Sequence, residues 1–69
     1  MKEVAKALDW VTLNRATLLH QAEQDGDALA AEILVLEQLV RFDPSGSNEF
    51  PGITALFLLK IEMYHLTPR

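Results

Sequence analysis

Two oppositely charged residues stand out because each interrupts the apolar stripe of a predicted helix. Arg15 lies among Leu8, Val11 and Leu18, at the spacing of one helix face. Glu32 interrupts the apolar side of the next predicted helix in the same way, between Ala28, Val35, Leu36 and Leu39. A charged group that leaves water is stable only when it is paired. The sequence therefore predicts a structural Arg15–Glu32 ion pair where the two helices, or two copies of the chain, meet; the alternative is that one of the two charges reaches a partner protein.

Metal and cofactor chemistry has little to build on in this sequence. The chain has no cysteine, and its two histidines, His20 and His65, are far apart and have no second histidine nearby. The acidic spacing in residues 23–27 resembles a calcium loop, but Ala28 stands where such a loop needs glycine and Leu34 where it needs the closing carboxylate. We therefore expect no metal ion and no cofactor.

Residues suited to catalysis are equally scarce. Ser45 and Ser47 fall in a predicted loop with no histidine near them in sequence, and the three glycines, at positions 26, 46 and 52, are isolated turn residues rather than a phosphate-binding loop. Three short helices also leave little room for a substrate pocket, which needs at least about 300 Å³. We expect that the protein is not an enzyme.

Aromatic residues give the sharper prediction of a binding site. Trp10 and Leu13 lie off the main apolar stripe of the first helix, with Asp9 beside them, and Tyr64 is a further candidate from the C-terminal helix. Trp and Tyr are frequent binding hot spots. We predict a partner-binding patch of Asp9, Trp10, Leu13 and Tyr64. The alternative is that Trp10 and Leu13 pack on the third helix or on a second copy.

Three predicted helices must position these residues, at about 3–23, 28–42 and 52–66, with a loop over 43–51. Gly26 supplies a left-handed helix end, and Asp27 is placed to cap the second helix. So short a connection makes the first two helices antiparallel neighbours. The predicted fold class is all-α: a single domain, residues 1–69, made of an antiparallel helical hairpin and a third, C-terminal helix.

The apolar content is high for a chain of this length. Hydrophobic residues make up 49% of the 69 residues, with eleven of fifteen positions in 28–42 and ten of fourteen in 53–66. A chain this short buries only about 60% of its unfolded surface, and it has no cysteine to form a disulfide. We therefore expect a homodimer to complete the fold.

Charge is concentrated in the middle of the chain. The formal net charge is −4, and residues 23–50 alone carry −6. Such a surface repels phosphate backbones and favours basic protein surfaces, so we expect no direct contact with nucleic acid. Uninterrupted apolar runs such as 56–59 are far too short to span a membrane, and charged residues occupy the beginning of the chain. The expected location is the cytoplasm.

These features favour a protein-interaction role over a chemical one. The leading hypothesis is a homodimeric module that binds a larger protein with a basic surface and inhibits, masks or adapts it. A structural subunit of a permanent helical assembly is the second hypothesis, and a DNA-associated transcriptional regulator is the third. The third is disfavoured because the last helix offers only Lys60, Tyr64 and His65 as contacts to DNA.

Overall fold

A computed structural model describes residues 2–42 and 52–68 of the chain. Within them lie four α-helices and no strand: α1 Lys2–Leu13, α2 Arg15–Glu23, α3 Ala28–Phe42 and α4 Ile53–Leu66. The all-α prediction is confirmed. The predicted third helix begins at Ile53 rather than at Gly52, and the predicted loop over 43–51 lies outside the described residues.

Asn14 divides the predicted first helix into α1 and α2. Its backbone departs from helical geometry, with φ −109° and ψ 13°, and its side-chain Nδ2 donates to the carbonyl of Trp10 over 2.8 Å. The backbone N–H of Asn14 donates to that same carbonyl over 3.0 Å. Because a short amide side chain competes with the backbone for hydrogen bonds, asparagine disfavours helix interiors. The result is a local break between two consecutive helices.

The turn between α2 and α3 agrees with the sequence in detail. Gly26 has a φ of +67°, in the left-handed region that favours glycine. The Asp27 carboxylate accepts hydrogen bonds from the backbone N–H groups of Leu29 at 3.0 Å and Ala30 at 3.2 Å. Asp27 therefore caps α3, as predicted.

A single apolar core lies between the helices, and α3 forms most of its contacts with α2 and α4. All four helices contribute buried side chains to this core. They are Val4, Ala7 and Val11 of α1, Leu18 of α2, Ala30, Ile33, Leu36 and Val40 of α3, and Phe57 and Ile61 of α4.

The side of α3 that faces the core differs from the side that the sequence suggested. Ala30, Ile33, Glu37 and Val40 form the buried line, at the i, i+3, i+7, i+10 spacing of one helix face. Val35, which was expected on the core side beside Glu32, points outward and is 59% exposed. Eleven apolar residues among fifteen leave little contrast between the two sides of this helix, so periodicity alone could not orient it.

Candidate interaction surface

The largest group of exposed apolar side chains lies on the outer side of α3 and α4. Six large hydrophobic residues there keep substantial contact with water, and we call them the α3–α4 face. They are Val35 (59% exposed) and Phe42 (74%) of α3, and Leu56 (39%), Leu59 (50%), Met63 (40%) and Leu66 (76%) of α4. Ten apolar residues already form the buried core on the other side of these helices. One copy therefore folds without burying this face.

A groove of about 430 Å³ runs between α3 and α4 within this face. Its lining is Ala31, Glu32, Val35, Leu36, Leu56 and Lys60. The two charged members pair with each other, with Lys60 Nζ 2.9 Å from Glu32 Oε2. Their mutual pairing leaves the rest of the groove apolar, which suits it to hydrophobic side chains rather than to a polar ligand.

The spacing of the α3–α4 face is a signal that sequence reasoning passed over. Leu56, Leu59, Met63 and Leu66 follow the i, i+3, i+7, i+10 pattern, and Val35 and Phe42 are also seven residues apart. The pattern was visible in the sequence. The pattern was not recognised because each of the two helices is also apolar on its core side. The outer apolar stripe could therefore not be distinguished from the core-facing one.

Within one copy, Arg15 does not form the predicted ion pair with Glu32, because it pairs with a different carboxylate; a pair between two copies stays a prediction. Arg15 Nη2 lies 2.9 Å from Glu37 Oε2, and Arg41 Nε donates to the same oxygen. Glu32 pairs with Lys60 instead. This difference has the same origin as the rotated orientation of α3: Glu37 lies on the core side of the helix, and Glu32 lies at the edge of the outer side.

Glu37 is a buried carboxylate held between two half-exposed arginines. Its side chain is 2% exposed, against 44% for each arginine. Burial raises the pKa of the Glu37 carboxyl. The hydrogen bonds and positive charges of Arg15 and Arg41 lower the pKa by more than burial raises it, so that it lies below its usual value. No described residue donates a hydrogen bond to Glu37 Oε1. The carboxylate is therefore ionised at neutral pH.

The charged cluster around Glu37 joins three helices. Arg41 Nη2 donates to Thr12 Oγ1 over 2.7 Å and to the Leu8 carbonyl over 3.3 Å, both in α1. Through Arg15 and Arg41, α1 and α2 are thus tied to the carboxylate on α3. The arrangement explains the cluster as a structural element of the fold.

The four residues of the predicted patch, Asp9, Trp10, Leu13 and Tyr64, differ in burial: Trp10 and Tyr64 are partly buried, and Asp9 and Leu13 are exposed. Trp10 is partly buried and meets the rings of Tyr64 and His65 edge-on, at centroid distances of 5.3 and 4.8 Å. The hydroxyl of Tyr64 also lies 2.6 Å from Oε1 of Gln21. Trp10 and Tyr64 therefore join α1 to α4, and partner binding by these two residues stays a prediction.

The other two members of that patch face solvent. Leu13, at the end of α1, is 84% exposed, and Asp9 is exposed one helical turn before it. The alternative in which Leu13 packs on the last helix does not hold within one copy. Asp9 and Leu13 form a second, smaller candidate surface, which we call the Leu13 surface.

The described residues hold no cluster suited to a metal ion. Nowhere in residues 2–42 and 52–68 do three histidine or acidic side chains converge in a way that could bind a metal. Within the same residues, no helix has both the length and the apolar character needed to cross a membrane.

Comparison with known proteins assigns no family to the chain. No family model matches it, and neither do any curated protein or solved structure. The function of the chain must therefore be inferred from its own side chains.

Proposed function

We propose that this protein is a small acidic interaction module that binds a larger protein and inhibits, masks or adapts it. The observation that carries the proposal is the α3–α4 face, where six large apolar side chains along two packed helices remain exposed although the core is already closed. Contiguous apolar patches of several hundred Å² are uncommon on monomeric proteins and mark interaction sites.

The α3–α4 face offers enough apolar surface to drive association. Full burial of one such side chain contributes about 1.5–3 kcal/mol. Since 39–76% of each of the six remains exposed, covering the face would gain on the order of 5–10 kcal/mol before the costs of association are subtracted. A helical surface with apolar anchors is a common means by which one protein grips another.

Charge indicates what kind of larger protein would be bound. The net charge of −4, with −6 in residues 23–50, favours a basic protein surface and increases the rate of encounter with it. A surface that otherwise contacts nucleic acid has this character. Masking such a surface would need no chemistry from this chain, only steric cover and matching charge.

The same face also supports a second candidate function, that of a structural subunit in a permanent helical assembly. In that case, every exposed apolar side chain would be buried against permanently bound neighbouring subunits, and no apolar surface would remain to bind a regulated partner. The two candidates separate on solubility, because a regulator is a soluble small oligomer on its own and a subunit of a permanent assembly is insoluble without its neighbours.

The proposal is tested by capture from lysate of the native host with matched charge variants. Leu59→Glu disrupts the α3–α4 face, Leu13→Glu disrupts the Leu13 surface, and Thr17→Glu adds the same charge at an exposed polar position on α2. We expect the unmodified chain and Thr17→Glu to retain one larger protein that at least one of the two leucine variants loses. The captured protein, once purified, should lose or change its own activity when the unmodified chain is added at equal concentration.

Two outcomes would contradict the proposal. One is that all four forms of the chain retain the same proteins in the same amounts, which would show capture unrelated to the exposed apolar residues. The other is that the purified target binds the chain but keeps an unchanged activity and an unchanged ability to bind its own ligands.

A further inference from the structure

We propose that the groove between α1 and α4 binds a small amphipathic molecule, one with an apolar body and a single carboxylate. This groove is separate from the α3–α4 face, and its ligand is not the larger protein of the proposed function.

The groove between α1 and α4 has the volume and the apolar lining of a ligand site. Its volume is about 400 Å³, within the range of about 300–1,000 Å³ that is usual for small-molecule sites. Ala7 of α1 and Ile61 of α4 are its most buried lining residues, 7% and 8% exposed. Because the alanine side chain is small, it leaves depth between the two helices at this point.

Half-buried apolar side chains form the sides of the groove. Trp10 of α1 and Leu58 of α4 both line it and both keep part of their surface in contact with water. The Trp10 ring also meets the ring of His65, another lining residue, edge-on at a centroid distance of 4.8 Å. An apolar molecule in the groove would cover the exposed parts of Trp10 and Leu58, and the burial of this apolar surface would stabilise the complex.

Charged side chains lie at the rim of the groove. Glu3 and Lys6 line it from α1, and both are exposed. Long charged side chains pack their carbon chains on apolar surface and keep their charge in water. Within residues 2–42 and 52–68, no ion pair or hydrogen bond engages the Lys6 ammonium or the indole N–H of Trp10. Both donors are therefore available to a ligand.

The positions of these two donors favour a negatively charged head group. Lys6 and Trp10 are four residues apart on α1, so their side chains are neighbours, with Cβ atoms about 5–6 Å apart. A carboxylate between them would accept hydrogen bonds from both, and charge-assisted bonds of this kind are stronger than neutral ones. An ammonium group at the same place would meet the positive charge of Lys6 and an indole nitrogen that donates but does not accept.

Glu3 does not occupy this position itself. It lies one turn before Lys6 on α1, on the side away from Trp10. Seven residues separate it from Trp10, a distance of about 10.5 Å along the helix. The place between Lys6 and Trp10 therefore stays open to the carboxylate of a ligand.

Fluorescence of Trp10 tests this inference, because it is the only tryptophan of the chain. Octanoate is the probe, and octylamine, which is protonated at pH 7, is the matched cation with the same apolar chain. We expect octanoate to shift the emission of Trp10 to shorter wavelength in a saturable way, with a Kd of about 1 mM or lower. Octylamine should bind at least about threefold more weakly, because it places a positive charge beside Lys6.

Matched variants of the full chain locate the bound carboxylate. Lys6→Gln should weaken octanoate binding at least about threefold, since it removes the positive charge at the rim. Lys2→Gln makes the same change at an exposed position of α1 outside the groove, and it should leave the affinity unchanged. Ala7→Leu fills the groove and should abolish the saturable shift, with circular dichroism to verify that the variant is still helical.

Three results would overturn the inference. They are an emission shift that does not saturate, equal affinities for octanoate and octylamine, and equal effects of Lys6→Gln and Lys2→Gln. The comparison of the two lysine variants decides the matter even if Ala7→Leu fails to fold. Failure of octanoate to bind would leave the proposed function intact, since that function depends on the α3–α4 face and is tested by capture of a larger protein.

Discussion

At the scale of single residues, the Glu37 carboxylate links three helices through two arginines. It accepts hydrogen bonds from Arg15 of α2 and Arg41 of α3, and Arg41 reaches on to α1. Glu32, only five residues away, makes a surface pair with Lys60, in which its own side chain is 48% exposed. The two glutamates therefore offer a matched comparison between a buried and an exposed ion pair.

Replacing Glu37 with glutamine should destabilise the fold far more than the same change at Glu32. Glu37→Gln leaves two arginines without their carboxylate, and we expect a loss of about 1–3 kcal/mol, moderated because both arginines can regain water. Glu32→Gln should cost less than about 1 kcal/mol, as is usual for exposed pairs. Urea unfolding at pH 7 and equal protein concentration measures both. Equal costs would mean that Glu37 is not the buried partner.

The same residue gives the fold a pH dependence of defined sign. The folded-state pKa of Glu37 is lowered from its ordinary value of 4.5, so its ionised form contributes stability above that pH. This contribution is lost as the pH falls below about 4.5 and through the lower folded-state pKa. Thermal melting between pH 7 and pH 3 should show a steeper loss for the unmodified chain than for Glu37→Gln. Parallel curves would contradict this assignment.

Trp10 and Leu13 were predicted to act together, and they separate in the fold. Trp10→Ala should lower stability by about 2–4 kcal/mol, since it removes a partly buried ring and its edge contacts with Tyr64 and His65. Leu13→Ala should change stability by less than about 0.5 kcal/mol, because Leu13 is 84% exposed. Thermal melting of both variants checks the pair. A Trp10→Ala protein as stable as the parent would contradict this packing role of Trp10.

At the scale of elements, the sequence predicted helix ends better than helix faces. Gly26 tolerates a positive φ, and Asp27 carries a short acceptor just before the free backbone N–H groups of α3. Both signals are local in sequence, and both roles were predicted correctly. The break at Asn14 was not anticipated, because asparagine also occurs within helices and no glycine or proline marks the site. The core side of α3 could not be predicted, since its two sides are both apolar and the choice depends on how α2 and α4 pack against it.

Capping by Asp27 should be measurable in isolation. Asp27→Ala removes the acceptor for the Leu29 and Ala30 backbone N–H groups, and we expect a loss of about 1 kcal/mol. Asp25→Ala is the control, because it removes the same charge two residues earlier in the same turn. Chemical unfolding should give a clearly smaller loss for the control. A result of similar size for both would attribute the effect to charge rather than to capping.

At the scale of the whole molecule, the rotation of α3 away from its expected orientation has a functional consequence. Val35 was expected inside the chain and lies on its surface, where it joins Phe42 and the outer leucines of α4. Composition predicted that one copy has more apolar surface than it can bury. Only the packing of the helices shows where that surplus lies, and that location makes α3 and α4 the candidate association surface.

Sedimentation of the purified chain tests this account most directly. We expect the unmodified chain to sediment at micromolar concentration with twice its mass of 7.7 kDa. Leu59→Glu should weaken the association at least about tenfold, equivalent to about 1.4 kcal/mol, whereas Leu13→Glu should leave it unchanged. A folded 7.7 kDa monomer of the unmodified chain, or equal effects of the two leucine variants, would contradict the expectation that the chain is a dimer associated through the α3–α4 face.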